Sequence, residues 1–103
     1  MEKLPYQQII ILIALHNIIS KTSALYVSLK ELHTELKWIC GSLQIGFNAG
    51  LMEERINDLE QYGMVSMRKK SSSETQIILQ VSSEDIKMSF GDNELLGKYI
   101  INE

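Results

Sequence analysis

Apolar and polar positions change period several times along the chain, and each change marks an element. From Ile9 to Leu15 the run is continuously apolar, so periodicity alone does not separate a helix from a buried strand. Length decides, because Tyr6 to about Ser20 passes without a breaker, roughly fifteen residues and longer than a usual strand. Pro5 sits where a first-turn proline is tolerated. A helix apolar nearly all round is a central core helix. After a connection over Lys21–Val27, Ser28-Leu29-Lys30-Glu31 has the form of a capping box and starts a second helix. Leu29, Leu32, Leu36, Ile39 and Cys40 then fall on one stripe, and the helix is expected to end near Ile39. Trp38 lies off that stripe and is expected to pack under the next segment, with stacking on a partner or a base as the alternative.

Gly41 to Phe47 reads as a turn region. Asn48 is a plausible N-cap for a third helix from Ala49 to about Tyr62, which Gly63 stops as a C′ glycine. Met52, Ile56 and Leu59 form its buried row, and Glu53, Glu54, Asn57, Asp58 and Gln61 its open face. From Met64 to Val81 the period shortens. Met64–Met67 and Gln76–Val81 predict two strands, with β-branched Ile77, Ile78 and Val81 in the second. The polar tip between them reads Arg68-Lys69-Lys70-Ser71-Ser72-Ser73-Glu74. A lone hairpin is marginal and needs a helical layer beneath it. Tyr26-Val27 is placed to add a short third strand. Ser82 or Ser83 caps a fourth helix running to about Phe90, with Glu84 and Asp85 suited to its positive end. Asp92 or Asn93 starts a last short helix carrying Leu95, Leu96, Tyr99 and Ile100. The pattern is mainly α with a small antiparallel β-hairpin, the layout of a winged helix (winged helix-turn-helix). In such a fold the third helix is the element that enters a DNA groove.

Length and composition fit one domain spanning residues 1–103, with 45% apolar and 22% charged residues. The apolar run of the first helix is too short to cross a bilayer, and no charged leader with a cleavage site precedes it. Cys40 is the single cysteine, so an internal disulfide is excluded, which suits a reducing compartment. Net charge is −3, unevenly spread: residues 47–63 carry −3 and residues 82–103 carry −3, whereas residues 64–81 carry +2. The hairpin is the most positive segment of an acidic protein, and a generic nucleic-acid coat protein would be basic throughout.

Candidate chemistry is sparse. Glu53-Glu54 and Glu84-Asp85 are adjacent acids, but helix neighbours diverge by about 100° and do not share a site. Cys40 and His33 are two turns apart, roughly 10 Å, too far for a nucleophile pair. His16 has no second ligand at a metal spacing. No catalytic, metal, cofactor or small-molecule site is expected. Consecutive basic residues are common on solvated surfaces, but these stand on a wing. Alternation in a strand puts Arg68 and Lys70 on one face and Lys69 on the other, whereas a loop would let all three reach phosphate. Ser71, Ser72 and Ser73 can donate to phosphate oxygens without reading sequence. Against groove insertion stand the acids of the third helix, since like charge near phosphate is costly. Only its start, around Asn48, approaches bases cleanly.

Four groups of residues carry a family resemblance: Leu4-Pro5-x-Gln7-Gln8-x-Ile10, then Val27-Ser28-Leu29-x-x-Leu32, then Leu59-Glu60-x-x-Gly63 leading into Met67-Arg68-Lys69, and finally Asp85-Ile86 with Asp92-x-x-Leu95-Leu96-Gly97. In order and spacing they resemble the C-terminal winged-helix domain of the eukaryotic cell-division-control and origin-recognition initiator ATPases. The likeness is closest to the branch that loads the replicative helicase. It covers nearly the whole chain. No G-x-x-x-x-G-K-[ST] phosphate loop is present, so the chain is expected to be a detached C-terminal domain and not itself an enzyme.

The resemblance implies a nuclear role in DNA replication initiation and origin licensing within the cell cycle. It implies weak contact with double-stranded DNA through Arg68, Lys69 and Lys70. It also implies partners among origin recognition complex subunits and the minichromosome-maintenance helicase. Three phosphate contacts would give a salt slope of about −2.7, roughly a 40-fold loss of affinity from 50 to 200 mM. The alternative is a winged helix used only for protein contact, with Glu53, Glu54 and Asp58 facing a basic partner. An unrelated winged-helix transcription regulator is a third reading.

Overall fold

Helix α1 (Tyr6–Thr22) is the element around which the others assemble. In this computed structural model, which describes residues 5–46, 48–71, 74–91 and 97–100, every α1 residue from Gln8 to Ile18 is buried. Ile10, Ile11, Leu12, Ile13 and Leu15 lose essentially all contact with water, each worth about 1.5–3 kcal/mol. The all-round apolar pattern is thus the mark of a helix covered on every side. Asn17 on α1 donates from Nδ2 to the Tyr99 carbonyl at 2.6 Å, tying the helix to the end of the described chain.

Strand β1 (Val27–Ser28) runs straight into helix α2 (Leu29–Leu43). The capping box is complete: the Glu31 N–H donates to Ser28 Oγ at 3.1 Å, and the Ser28 N–H donates to Glu31 Oε1 at 3.3 Å. Helix α2 ends four residues later than expected, with Gly41 inside it. Leu43 is drawn onto the core, and the end closes through N–H groups of Gln44 and Ile45 onto the carbonyls of Gly41 and Cys40. Gln44 takes the left-handed conformation there, φ 61°. Trp38 does not pack under the next segment. It is 56% exposed and meets the Tyr99 ring edge-on at 5.6 Å.

Helix α3 (Ala49–Gln61) starts at Asn48, whose Oδ1 accepts from the Leu51 N–H at 3.0 Å. Met52, Ile56 and Leu59 bury its inner row as expected. Its C-terminus is a Schellman motif: Gly63 N–H to the Glu60 carbonyl and Met64 N–H to the Leu59 carbonyl, both 3.0 Å. Gly63 sits at φ +76°, which explains why a residue without a Cβ turns the chain from helix into strand.

Strands β2 (Val65–Ser71) and β3 (Glu74–Leu79) form the hairpin, and β1 adds on the far side in the order β1-β3-β2, all antiparallel. The hairpin differs from expectation in one respect that matters. Arg68-Lys69-Lys70 is not a loop tip but part of β2, paired through Arg68 with Gln76 and Lys69 with Thr75. Because β2 is an edge strand, long charged side chains there stay in water, and edge strands commonly carry them. A register irregularity falls between Lys69 and Ser71, next to the turn.

Ser82 caps helix α4 (Ser83–Phe90), accepting from the Asp85 N–H at 3.1 Å. The helix expected from Asp92 or Asn93 lies outside the described residues, as do Leu95 and Leu96. A single 3₁₀ turn, Gly97–Tyr99, is seen, and Ile100 is buried. Mainly helical, with a three-stranded antiparallel sheet, this is a winged helix. No described helix is long and apolar enough to cross a membrane.

Candidate functional site

The two faces of the hairpin have different environments. Val65, Met67 and Lys69 alternate onto the face that covers the core, in register with Leu79, Ile77 and Thr75. Ser66 and Arg68 take the opposite face, and Lys70 falls in the register irregularity between Lys69 and Ser71, where the alternation breaks. All three basic residues are exposed, and none is in an ion pair with a described carboxylate. Arg68 is steadied by its cross-strand neighbour: its Nη2 donates to Gln76 Oε1 at 3.0 Å. Gln76 is buried, so this acceptor is fixed. The contact uses one of the five guanidinium donors of an exposed side chain. Ser71 is exposed at the end of β2, whereas Ser72 and Ser73 lie outside the described residues.

Lys69 faces elsewhere. With Met67 and Thr75 it lines a groove of about 320 Å³, whose other wall is Leu29 and the α3 residues Glu53, Ile56, Asn57 and Glu60. At 100° per residue, Glu53, Asn57 and Glu60 occupy about 60° of α3, while Glu54 and Asp58 lie about 100–140° round from Glu53. The acids grouped together by sequence therefore do not form one surface. Asp58 is further occupied by Arg55, whose Nη1 lies 3.1 Å from Oδ2. Glu60 has a structural task that sequence reading missed. Its Oε2 accepts the Met67 N–H at 2.9 Å, covering a backbone donor on the free edge of β2. A helix residue capping a strand seven positions later leaves no pattern in the sequence. Asn48 is exposed at the start of α3, with its side-chain oxygen engaged in the cap.

The nucleophile and metal-ligand candidates of the sequence stay apart among the described residues. Cys40 is fully buried, and burial pushes its thiol pKa up, so the nucleophilic thiolate is disfavoured. His16 is a core residue on α1. No group of metal-ligating side chains occurs among the described residues.

The comparisons with known proteins bear on the fold. A family model described as the CDC6 C terminal winged helix domain matches residues 1–89. The crystal structure of Cdc6p from Pyrobaculum aerophilum superposes with a TM-score of 0.74 over 91% of this chain, at 18% identity. At that identity the likeness is one of fold. The chain spans about a quarter of that protein, 25% of its length. No curated protein matches the chain.

Proposed function

The chain belongs to the family of CDC6 C-terminal winged helix domains, and from that membership we propose that it serves DNA replication initiation by gripping duplex phosphate through its wing. The observation that carries this reading is the outer face of β2. Arg68 stands exposed there, held by Gln76, and Lys70 is exposed at the register irregularity beside the turn; neither is tied to a described carboxylate. Ser71, Ser72, Ser73 and Asn48 complete the contact set, the serines donating to phosphate and Asn48 approaching a base edge. Lys69 adds long-range attraction from the other face.

Neighbouring initiator subunits and the minichromosome-maintenance helicase are the proposed protein partners. Among the α3 acids, Glu53 and Glu54 are exposed and Asp58 is half-buried beside Arg55; contact of these acids with a basic surface, in a purely protein-binding winged helix, is the second reading. Only the winged helix of the family is found in the chain, and no ATPase module is evident in it. We read it as a non-enzymatic domain that works beside an ATPase module at origins in a nucleus. The genomic reading frame upstream of Met1 tests for that ATPase module.

Duplex titration tests the wing. Two phosphate contacts predict a salt slope of about −1.8, roughly a 12-fold fall in affinity from 50 to 200 mM salt. The double substitution Arg68→Ala with Lys70→Ala should flatten that slope towards zero. An unchanged slope and affinity would remove the wing from the interface and favour the protein-only reading.

A further inference from the structure

The groove between α3 and the wing has the chemistry of a side-chain receptor. Its floor is apolar, from Leu29, Ile56 and Met67, and its rim carries Glu53, Glu60 and Asn57 against a single cation, Lys69. Neither Glu53 nor Lys69 is in an ion pair among the described residues, and Glu60 commits Oε2 to the Met67 N–H. An occupant must offer a long apolar stem and a cationic, multi-donor head. Arginine meets both requirements: its methylenes cover apolar surface while the planar fork donates to carboxylates in pairs. The asymmetry of charge disfavours an acidic or phosphate-bearing occupant. The volume, near the lower end for ligand clefts, suits one such side chain with its flanking backbone.

We infer that this groove is a docking slot for an arginine side chain on an exposed segment of a partner protein, its guanidinium held between Glu53 and Glu60. The slot deepens the partner-contact half of the function proposed above and is independent of the duplex half. It narrows the acidic contact to Glu53, Asn57 and Glu60, and leaves out Asp58, which Arg55 already engages.

The test is a two-dimensional NMR titration of the labelled full chain with the blocked tripeptide acetyl-Ala-Arg-Ala-amide. Saturable shifts are expected at Glu53, Asn57, Met67 and Lys69, with a dissociation constant on the order of millimolar. The citrulline peptide, same stem without the charge, should bind about fivefold more weakly, and Glu53→Gln should weaken the arginine peptide by a similar factor. Asn57 is exposed, so Asn57→Lys leaves the fold intact, and it should abolish the saturable shifts. Equal binding of both peptides, or unaltered binding to Asn57→Lys, overturns the slot. Shifts at Glu54 and Asp58 instead keep an acidic contact face but overturn the slot. Shifts on neither side overturn both. Groove signals that move with protein concentration and no peptide would identify a second copy of this chain as the occupant, against the inference.

Discussion

Helix α3 and strand β2 are neighbours that meet at the Gly63 turn, yet they answer to opposite constraints. The helix is anchored by Met52, Ile56 and Leu59 on its inner row and spends its outer surface on carboxylates. The strand is pinned at its root by Val65 and sends Arg68, Lys69 and Lys70 outward along its far half. The helix spreads its acids round its outer arc, Glu53 and Glu60 on the side of the groove and Glu54 and Asp58 about 100–140° round from Glu53, and each repels phosphate as like charge. A strand sorts consecutive residues onto opposite faces, so Arg68 and Lys69 part, and Lys70 follows in the irregularity beside the turn. The difference explains how an acidic domain can carry a phosphate-facing surface: the cations stand on the element that projects, and the anions on the element that packs.

The largest effect should come from loosening the packed member. Ile56→Ala removes a fully buried side chain from the α3 side of the core and should destabilise the domain by about 2–5 kcal/mol. Denaturant unfolding measures it. A loss well below 1 kcal/mol would mean that α3 is not held by this row, and the contrast with the wing would fail.

Next comes charge. Reversing Glu53 and Glu54 together, each to Lys, spares the Arg55–Asp58 pair and takes the repulsion off the wing's flank. Duplex affinity at low salt should rise by roughly tenfold, about 1.4 kcal/mol. In a pull-down, the same variant should lose capture of basic partners. If duplex affinity stays flat, α3 lies too far from the phosphate path to matter.

Much of this arrangement was legible in the sequence because it is local. Ser28 with Glu31, Asn48 ahead of Ala49, and Gly63 after Tyr62 are each fixed by contacts within a few residues, and each behaves as its residue type predicts. The buried rows of α2 and α3 follow from period alone. What escaped depends on partners distant in sequence or on how far an element extends. Helix α2 passes Gly41 because Leu43 finds the core. Trp38 stays exposed because its described ring partner is Tyr99, some sixty positions on, rather than the segment that follows it. The hairpin was placed correctly but its tip was not. Arg68 and Lys69 pair across to Gln76 and Thr75, and strand propensity on one side does not register pairing from the other. The groove, with Glu60 on the strand edge and Lys69 opposite Glu53, exists only once both elements are folded.

A smaller effect is expected at the joint between the two regions. Gly63→Ala forces a Cβ into a left-handed conformation at φ +76°, although space around it is open. The strain alone should cost about 1–2 kcal/mol. Thermal melting reads the loss, and duplex affinity per folded molecule should not change. A fall in affinity beyond the loss of folded protein would show that the joint sets the angle of the wing.

The smallest effect is the most discriminating. Lys69 has the same charge as Arg68 and Lys70 and lies between them, so a flat patch of positive charge would treat the three alike. The strand does not. Lys69 shares a face with Met67 and borders the groove that Glu53 and Glu60 also line, away from the face that carries Arg68. Arg68→Ala should reduce the magnitude of the salt slope by about 0.9, the signature of one lost phosphate contact. Lys69→Ala should leave the slope unchanged and shift affinity by no more than about twofold, through screened long-range charge alone. Equal slopes would mean that the duplex meets the edge of β2 and not its outer face, with Glu53 and Glu60 then facing the phosphates directly.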